Sequence, residues 1–133
     1  MFLVDTNVWL ELLLEQERSK EVHQFFQVTE ARLFAITDFS LYSIGVILTR
    51  LKRDNLFEDF LSDTIEDSGV RRIRLDTDDL KKLLPVRQKF NLDFDDAYQY
   101  VAAEKYGLTL ISFDTDLDHT ERGRKLPSQI LGG

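Results

Sequence analysis

Three groups of Asp residues in this chain are candidates for binding a hard divalent cation. They comprise Asp5 near the start, then Asp93, Asp95 and Asp96, and finally Asp114, Asp116 and Asp118. Carboxylate oxygens are the ligands that Mg²⁺ and Mn²⁺ prefer in proteins. Residues 93–118 contain seven acidic side chains and one basic one, so they carry −6 of the chain's net charge of −7. The negative charge is therefore concentrated in the part of the sequence that holds most of the candidate ligands.

The predicted secondary structure would bring these groups to one edge of a sheet. Asp5 follows the apolar run 2–4, and Asp114 follows the apolar run 108–112, as expected for residues at the carboxyl ends of two strands. Open α/β sheets bind their ligands at that end of the strands. Each Asp alone could instead cap a helix or close an Asx turn. Their convergence favours a cation site, because grouped carboxylates repel one another unless a cation neutralises them.

The apolar pattern alternates between strand-like and helix-like segments along the whole chain. Strands are predicted at residues 2–4, 33–37, 70–75 and 108–112, with a short fifth strand at 129–131. Helices are predicted at 7–16, from 19 onwards, from 38 or 40 to 53, around 56–65, from 76 onwards, and at 94–106 before Gly107. This alternation indicates an α/β protein. We expect one domain over residues 1–133, a three-layer α/β/α sandwich around a mainly parallel sheet of four to five strands.

The composition narrows the possible classes of protein and of site. Cys is absent and only two His are present, which excludes disulfides, thiolate zinc sites and His-rich metal sites. No run approaches the roughly 20 apolar residues of a membrane span. The first residues lack the basic flank and cleavage site of a signal peptide, so we expect a cytoplasmic protein.

The sequence pI of about 4.8 disfavours nonspecific binding of nucleic acid through phosphate attraction. A role on nucleic acid would therefore depend on metal ions or on local basic patches. The candidate patch that follows the last acidic group directly comprises Arg122, Arg124 and Lys125.

The third predicted helix is apolar around much of its circumference. Its core stripe comprises Leu41, Ile44, Leu48 and Leu51. Further apolar residues, which are Phe39, Tyr42, Val46 and Ile47, lie between the members of that stripe. Either the helix is buried on every side, or it offers a surface to a partner such as a second copy of the chain.

Three short motifs together resemble the PIN domain family, in particular the VapC toxin-type ribonucleases. They are Val4-Asp5-Thr6-Asn7, Phe94-Asp95-Asp96-Ala97 at the start of a helix, and Ile111-Ser112-Phe113-Asp114 at the end of a strand. The resemblance covers almost the whole chain in length and element order. It implies Mg²⁺- or Mn²⁺-dependent cleavage of phosphodiester bonds in single-stranded RNA by the toxin of a toxin–antitoxin pair. The partners that it implies are RNA, a small antitoxin protein and a second copy of the chain.

The same resemblance assigns roles to individual residues. Asp5, Asp96 and Asp114 would be the catalytic metal ligands, and the polar side chains around them would be Thr6, Asn7, Ser43 and Ser112. Ser43 stands where the family usually has a Glu, so one negative charge is missing. Either the metal keeps extra water, or Asp116 or Asp118 replaces the Glu, or the domain has lost much of its activity. The last case would leave a PIN-like domain that acts as an RNA- or protein-binding module.

One phosphatase family competes for the first motif. Asp5-Thr6-Asn7-Val8 is also similar to the Asp-x-Asp-x-Thr/Val motif of the haloacid dehalogenase superfamily. Asn7 replaces the second Asp of that motif, and no suitable Lys follows the third strand. The phosphatase interpretation therefore lacks both the Asp that would act as acid and base and the Lys side chain that the motif requires.

Overall fold

The computed structural model describes residues 1–131, in which four short strands alternate with seven α-helices. The strands are β1 (Phe2–Val4), β2 (Phe34–Thr37), β3 (Arg71–Ile73) and β4 (Thr109–Ile111). The helices are α1 (Thr6–Leu13), α2 (Ser19–Val28), α3 (Asp38–Arg50), α4 (Asp54–Phe60), α5 (Thr77–Phe90), α6 (Phe94–Tyr106) and α7 (Pro127–Leu131). A π-helical segment, Leu61–Asp67, continues α4, and a 3₁₀ turn, Thr115–His119, follows β4.

The four strands form one parallel sheet in the order β3-β2-β1-β4. Successive side chains of a strand point to opposite faces. Leu3 of β1 accordingly joins the core under α5 and α6, while Val4 joins a second core under α1 to α4. The predicted three-layer α/β/α sandwich with a parallel sheet is confirmed, with four strands among the described residues.

Local sequence signals explain where the helices around the site begin and end. The side chain of Thr37 accepts a hydrogen bond from the Ser40 N–H at 3.0 Å and so caps the start of α3. Helix α6 ends at Gly107, whose φ of +66° is the left-handed conformation that glycine adopts without strain. The predicted limits of α6 are confirmed at both ends.

The prediction of a fifth strand at residues 129–131 is wrong. These residues belong to α7, which begins at Pro127, a residue whose fixed φ suits the first turn of a helix. The Ser128 N–H donates to the Glu21 carboxylate at 3.0 Å, which ties α7 to α2. The only strand-like pairing near the described end of the chain is an isolated parallel bridge between Lys125 and Ile111.

Two helices are shorter than predicted. Helix α1 ends at Leu13 rather than at residue 16, and Glu15 just beyond it has a φ of +50°. Helix α3 ends at Arg50 rather than at residue 53, and Lys52 beyond it has a φ of +59°. A left-handed residue cannot continue a right-handed helix, and the apolar pattern carries no signal for it.

Helix α3 is not buried on every side, so that interpretation of its apolar surface is wrong. Leu41, Ile44 and Leu48 are buried in the core, as their spacing predicts, but the prediction is wrong for Leu51, which lies just beyond the end of α3 and is exposed. Tyr42 and Val46, however, are 59% and 46% exposed and line an open apolar groove of about 480 Å³. Within residues 1–131 no helix is long and apolar enough to cross a membrane.

Candidate metal centre

The carboxyl ends of β1 and β4 place Asp5 and Asp114 beside each other. The two strands are neighbours in the sheet, with Val4 opposite Ile111, and the Asp5 N–H donates to the Ile111 carbonyl at 2.9 Å. Asp96 lies in the first turn of α6, which leads back to β4 through Gly107. The structure therefore brings together three Asp residues that are far apart in the sequence.

These three Asp side chains line one open cleft of about 240 Å³. The other residues lining the cleft are Thr6, Asn7, Leu10, Ser43, Ile47 and Asp95. Carboxylate oxygens of Asp96, Asp114 and Asp116 lie within 4.8 Å of one another. No Lys or Arg is among the cleft-lining residues, so no side-chain cation at this site offsets the carboxylates.

Asp5 is held in place by three hydrogen-bond donors. Its Oδ1 accepts from the Thr6 N–H at 2.8 Å and from Gln99 Nε2 at 3.0 Å, and its Oδ2 accepts from Ser112 Oγ at 2.7 Å. Burial raises the pKa of the Asp5 carboxyl, whereas the bonds from Ser112, Gln99 and Thr6 lower it. Asp5 therefore has a fixed orientation and both of its oxygens already have donors.

The Ser112 hydroxyl joins the ends of the two central strands. It donates to Asp5 and accepts from Asn7 Nδ2 at 3.3 Å and from the Asp114 N–H at 3.0 Å. Asn7 Oδ1 also accepts from the Phe113 N–H at 3.2 Å. Asn7 and Ser112 thus position Asp5 and Asp114 relative to each other.

Gln99 is a site residue that the sequence analysis missed. It is 1% exposed, and its Nε2 donates to Asp5 and to Ser40 Oγ, at 3.0 and 2.9 Å, while its Oε1 accepts from Thr37 Oγ1 at 2.8 Å. A signal for it was present, because a position three residues after Asp96 lies on the same face of the helix. Gln99 connects β1, the start of α3 and α6.

The surroundings of Asp96 disfavour the ionised form of its carboxyl. Burial raises the pKa of its carboxyl to about 8, with further contributions from hydrogen bonding and charge at Asp114 and from the charges of Asp5 and Asp93. The donors in the cleft are hard oxygen atoms without any sulfur or imidazole, which suits Mg²⁺ or Mn²⁺ rather than Zn²⁺. A divalent cation would relieve this repulsion, so the residues present fit such an ion.

The missing Glu and its possible replacements can now be located. Ser43 lies on the cleft wall, as does Asp95, which belongs to the second group of candidate Asp residues. Asp116 belongs to the close group of three carboxylates. Asp118 does not belong to it; Arg124 binds the Asp118 carboxylate at 2.9 and 3.1 Å and lowers its pKa.

The candidate RNA-binding residues are not among those lining the acidic cleft. Arg124 is engaged by Asp118 and by the Ser112 carbonyl at 3.1 Å. Arg122 donates to the Leu108 carbonyl at 3.2 Å, and Lys125 is exposed beside β4. They belong instead to a separate pocket along the outer edge of β4.

Comparison with known proteins places the fold. A family model described as the PIN domain matches residues 2–123. A toxin–antitoxin complex from Klebsiella pneumoniae contains a similar chain, with a TM-score of 0.75 and 21% identity over 96% of this chain and 98% of that one.

Two further solved structures show the same fold. VapC20 of Mycobacterium tuberculosis, described as a sarcin-ricin loop cleaving toxin, has a TM-score of 0.75 and 16% identity over 87% of this chain and 92% of its own. PAE2754 from Pyrobaculum aerophilum has a TM-score of 0.71 and 20% identity over 98% and 93%. No curated protein sequence matches this chain significantly.

Proposed function

Because this chain belongs to the PIN domain family, we propose that it is a metal-dependent endoribonuclease that hydrolyses phosphodiester bonds of single-stranded RNA. The observation that carries the proposal is the convergence of Asp5, Asp96 and Asp114 in one open cleft without a basic side chain. A cleft of carboxylates repels the phosphates of RNA unless cations are bound there. The cleft would therefore bind a nucleic acid only when a metal ion neutralises its carboxylates.

The carboxylates divide into two sets by their surroundings. Asp96, Asp114 and Asp116 have oxygens close enough together to share one ion. Asp5 is oriented by Ser112 and Gln99 and faces the same cleft. When bound, Mg²⁺ or Mn²⁺ supplies Lewis-acid assistance to phosphodiester hydrolysis, so that no nucleophilic side chain is required.

RNA cleavage by the purified protein tests this proposal. We expect cleavage of a single-stranded RNA with Mn²⁺, loss of cleavage with EDTA, and at least a hundredfold loss in Asp5→Asn. Asp78→Asn is the matched control, because Asp78 is an exposed acid in the first turn of α5, remote in sequence from the cleft residues. Cleavage that persists equally in Asp5→Asn and in Asp78→Asn would contradict the proposal and point to a contaminating nuclease.

We further propose that the protein is the toxin of a toxin–antitoxin pair and acts in the cytoplasm. One of the similar solved structures is described as a toxin–antitoxin complex. The groove lined by Phe39, Tyr42, Val46 and Ile47 offers an exposed apolar surface for a small antitoxin protein.

A homodimer would be the other way to cover this groove. Light scattering of the purified chain and co-purification with the product of a neighbouring small gene separate the two cases. A strict monomer at high concentration that co-purifies with no partner would contradict both.

One observation favours a second function, a catalytically weakened domain that binds RNA or protein. Ser43 on the cleft wall has no charge, where the family usually has a Glu. If the protein binds RNA in the presence of Mn²⁺ but cleaves no substrate, even at high enzyme concentration, the binding module is the better description.

A further inference from the structure

A pocket of about 240 Å³ lies along the outer edge of β4, outside the acidic cleft. Its walls include Tyr100 from α6, Leu108 and Leu110 from the β4 region, and the basic side chains Arg122, Arg124 and Lys125. No acidic side chain is among its lining residues. In a chain with a net charge of −7, this pocket is therefore a local concentration of positive charge.

Two of its three basic side chains are not neutralised. Arg122 and Lys125 form no ion pair with any residue of 1–131, whereas Arg124 is paired with Asp118. Glu121, the acid next to Arg122 in the sequence, is bound by Lys89 at 2.7 Å. Arg122 and Lys125 thus leave about two positive charges at the pocket.

The backbone around the pocket is held in place by hydrogen bonds. The Arg122 guanidinium donates once, to the Leu108 carbonyl, and its backbone N–H donates to Tyr100 Oη at 3.3 Å. The Lys125 N–H donates to the Leu110 carbonyl at 2.8 Å. A guanidinium has five N–H donors, so Arg122 keeps four for a ligand. The turn between them depends on Gly123, whose φ is +65°.

Hydrogen bonds around the end of β4 connect the wall of the pocket to the wall of the acidic cleft. Arg124 bonds the Ser112 carbonyl, and the Ser112 N–H donates to the Lys125 carbonyl at 3.1 Å, while the hydroxyl of Ser112 bonds Asp5. Residues 108–112 span about 13 Å at the usual rise of a strand. A nucleic-acid strand that occupies the cleft can therefore reach the pocket within a few nucleotides.

We propose that this pocket binds a backbone phosphate of the RNA substrate, a few nucleotides from the one that lies in the acidic cleft. The inference rests on the proposed ribonuclease function and assigns the substrate-holding role to Arg122 and Lys125. Arg124, which the sequence analysis grouped with them, instead supports the wall through Asp118 and Ser112. The positive pocket holds the strand electrostatically while the acidic cleft, without a cation, repels it.

Binding of a labelled single-stranded RNA in EDTA and at low salt, followed by fluorescence anisotropy, tests the pocket without cleavage. Arg122→Gln and Lys125→Gln should each weaken binding about three- to tenfold and lower the salt dependence by roughly 0.7 in the log–log slope. Arg87→Gln and Lys81→Gln are matched controls, because both residues are exposed on α5 and form no ion pair within residues 1–131. The controls should change the affinity less than twofold. Lys125 is exposed, so Lys125→Gln should fold even if Arg122→Gln does not.

The outcomes separate the pocket from the nuclease function. If the wild type cleaves RNA but Arg122→Gln and Lys125→Gln bind RNA as tightly as the control variants do, the phosphate-binding role of the pocket is wrong and the nuclease function stands. Pocket-dependent RNA binding without any Mn²⁺-dependent cleavage supports the pocket and overturns the nuclease. Inorganic phosphate should compete with RNA in the wild type. If Lys125→Gln abolishes the binding of inorganic phosphate but leaves RNA binding unchanged, the pocket is a site for a free anion, and the proposal that it binds an RNA phosphate is wrong.

Discussion

Replacing Asp96 by Asn should stabilise the protein when no metal is bound. Asp96 is 7% exposed, and burial together with the neighbouring Asp114 and Asp5 raises its pKa from 3.8 to about 8. In the unfolded chain this carboxyl ionises at its ordinary pKa. Because the folded state binds the proton more tightly, the contribution of Asp96 to stability is full below pH 3.8 and is lost as the pH rises towards 8. Asn is neutral at every pH and avoids that loss.

The size of the gain follows from the pKa shift. One pKa unit corresponds to about 1.4 kcal/mol, so at pH 7 the shift of Asp96 lowers the free energy of unfolding by up to ~4 kcal/mol. Removing a carboxylate from the first turn of a helix forfeits at most ~1 kcal/mol of interaction with the helix dipole. We therefore expect Asp96→Asn to be more stable by about 1–3 kcal/mol at pH 7 in EDTA. At about pH 4 the difference should vanish.

Urea unfolding in EDTA at several pH values measures this difference directly. Asp78→Asn is the control, because Asp78 is also a first-turn acid, on α5, and its loss should slightly destabilise the protein at pH 7 rather than stabilise it. With Mn²⁺ the order should reverse, since the wild type gains about 4.1 kcal/mol at a thousandfold excess over Kd. Two results would refute the reasoning. Asp96→Asn could be no more stable than wild type at pH 7 to 8 in EDTA, or its gain in stability over wild type could be as large at pH 4 as at pH 7.

Three further predictions concern the hydrogen-bond network of Gln99 with Asp5, Ser40 and Thr37, the missing Glu at position 43, and the apolar groove on α3. Gln99→Met should lower the free energy of unfolding by about 2–3 kcal/mol in urea titrations, because it leaves buried hydrogen-bonding partners unpaired; a change below about 0.5 kcal/mol would contradict the network. Ser43→Glu should tighten Mn²⁺ binding measured by calorimetry and lower stability in EDTA, and Asp116→Asn should weaken Mn²⁺ binding whereas Asp118→Asn should not. No effect of Ser43→Glu would show that this position does not face the ion. Val46→Asp should leave unfolding within about 0.5 kcal/mol of wild type yet abolish partner binding or dimerisation in light scattering; unchanged assembly would exclude the groove.

Several features of the fold were predictable because their causes are local. The limits of α6 follow from an apolar pattern that ends at Gly107, a residue suited to the left-handed conformation found there. The positions of Asp5 and Asp114 at neighbouring strand ends follow from two short apolar runs and the parallel order of an α/β sheet. These signals lie within a few residues of the feature that they predict.

Other features depended on contacts that no local pattern records. Residues near the described end of the chain form a helix rather than a strand, because α7 packs on α2 and bonds Glu21. Asp118 was a candidate ligand in the sequence, and in the structure its carboxylate forms an ion pair with Arg124 and lies outside the close group of three carboxylates. The exposure of Tyr42 likewise depends on which elements pack against α3.

The sequence by itself determined the order of the elements from β1 to β4, the parallel α/β class and the three acidic residues that meet at one edge of the sheet. Only the tertiary structure decided which polar side chains orient them and which carboxylates lie close enough together to share an ion. Ser112 and Gln99 bond Asp5 across 107 and 94 residues of sequence, so that no periodicity connects them. Their hydrogen bonds exist because the packed sheet and α6 bring these groups within about 3 Å of one another, where a buried carboxylate must find donors.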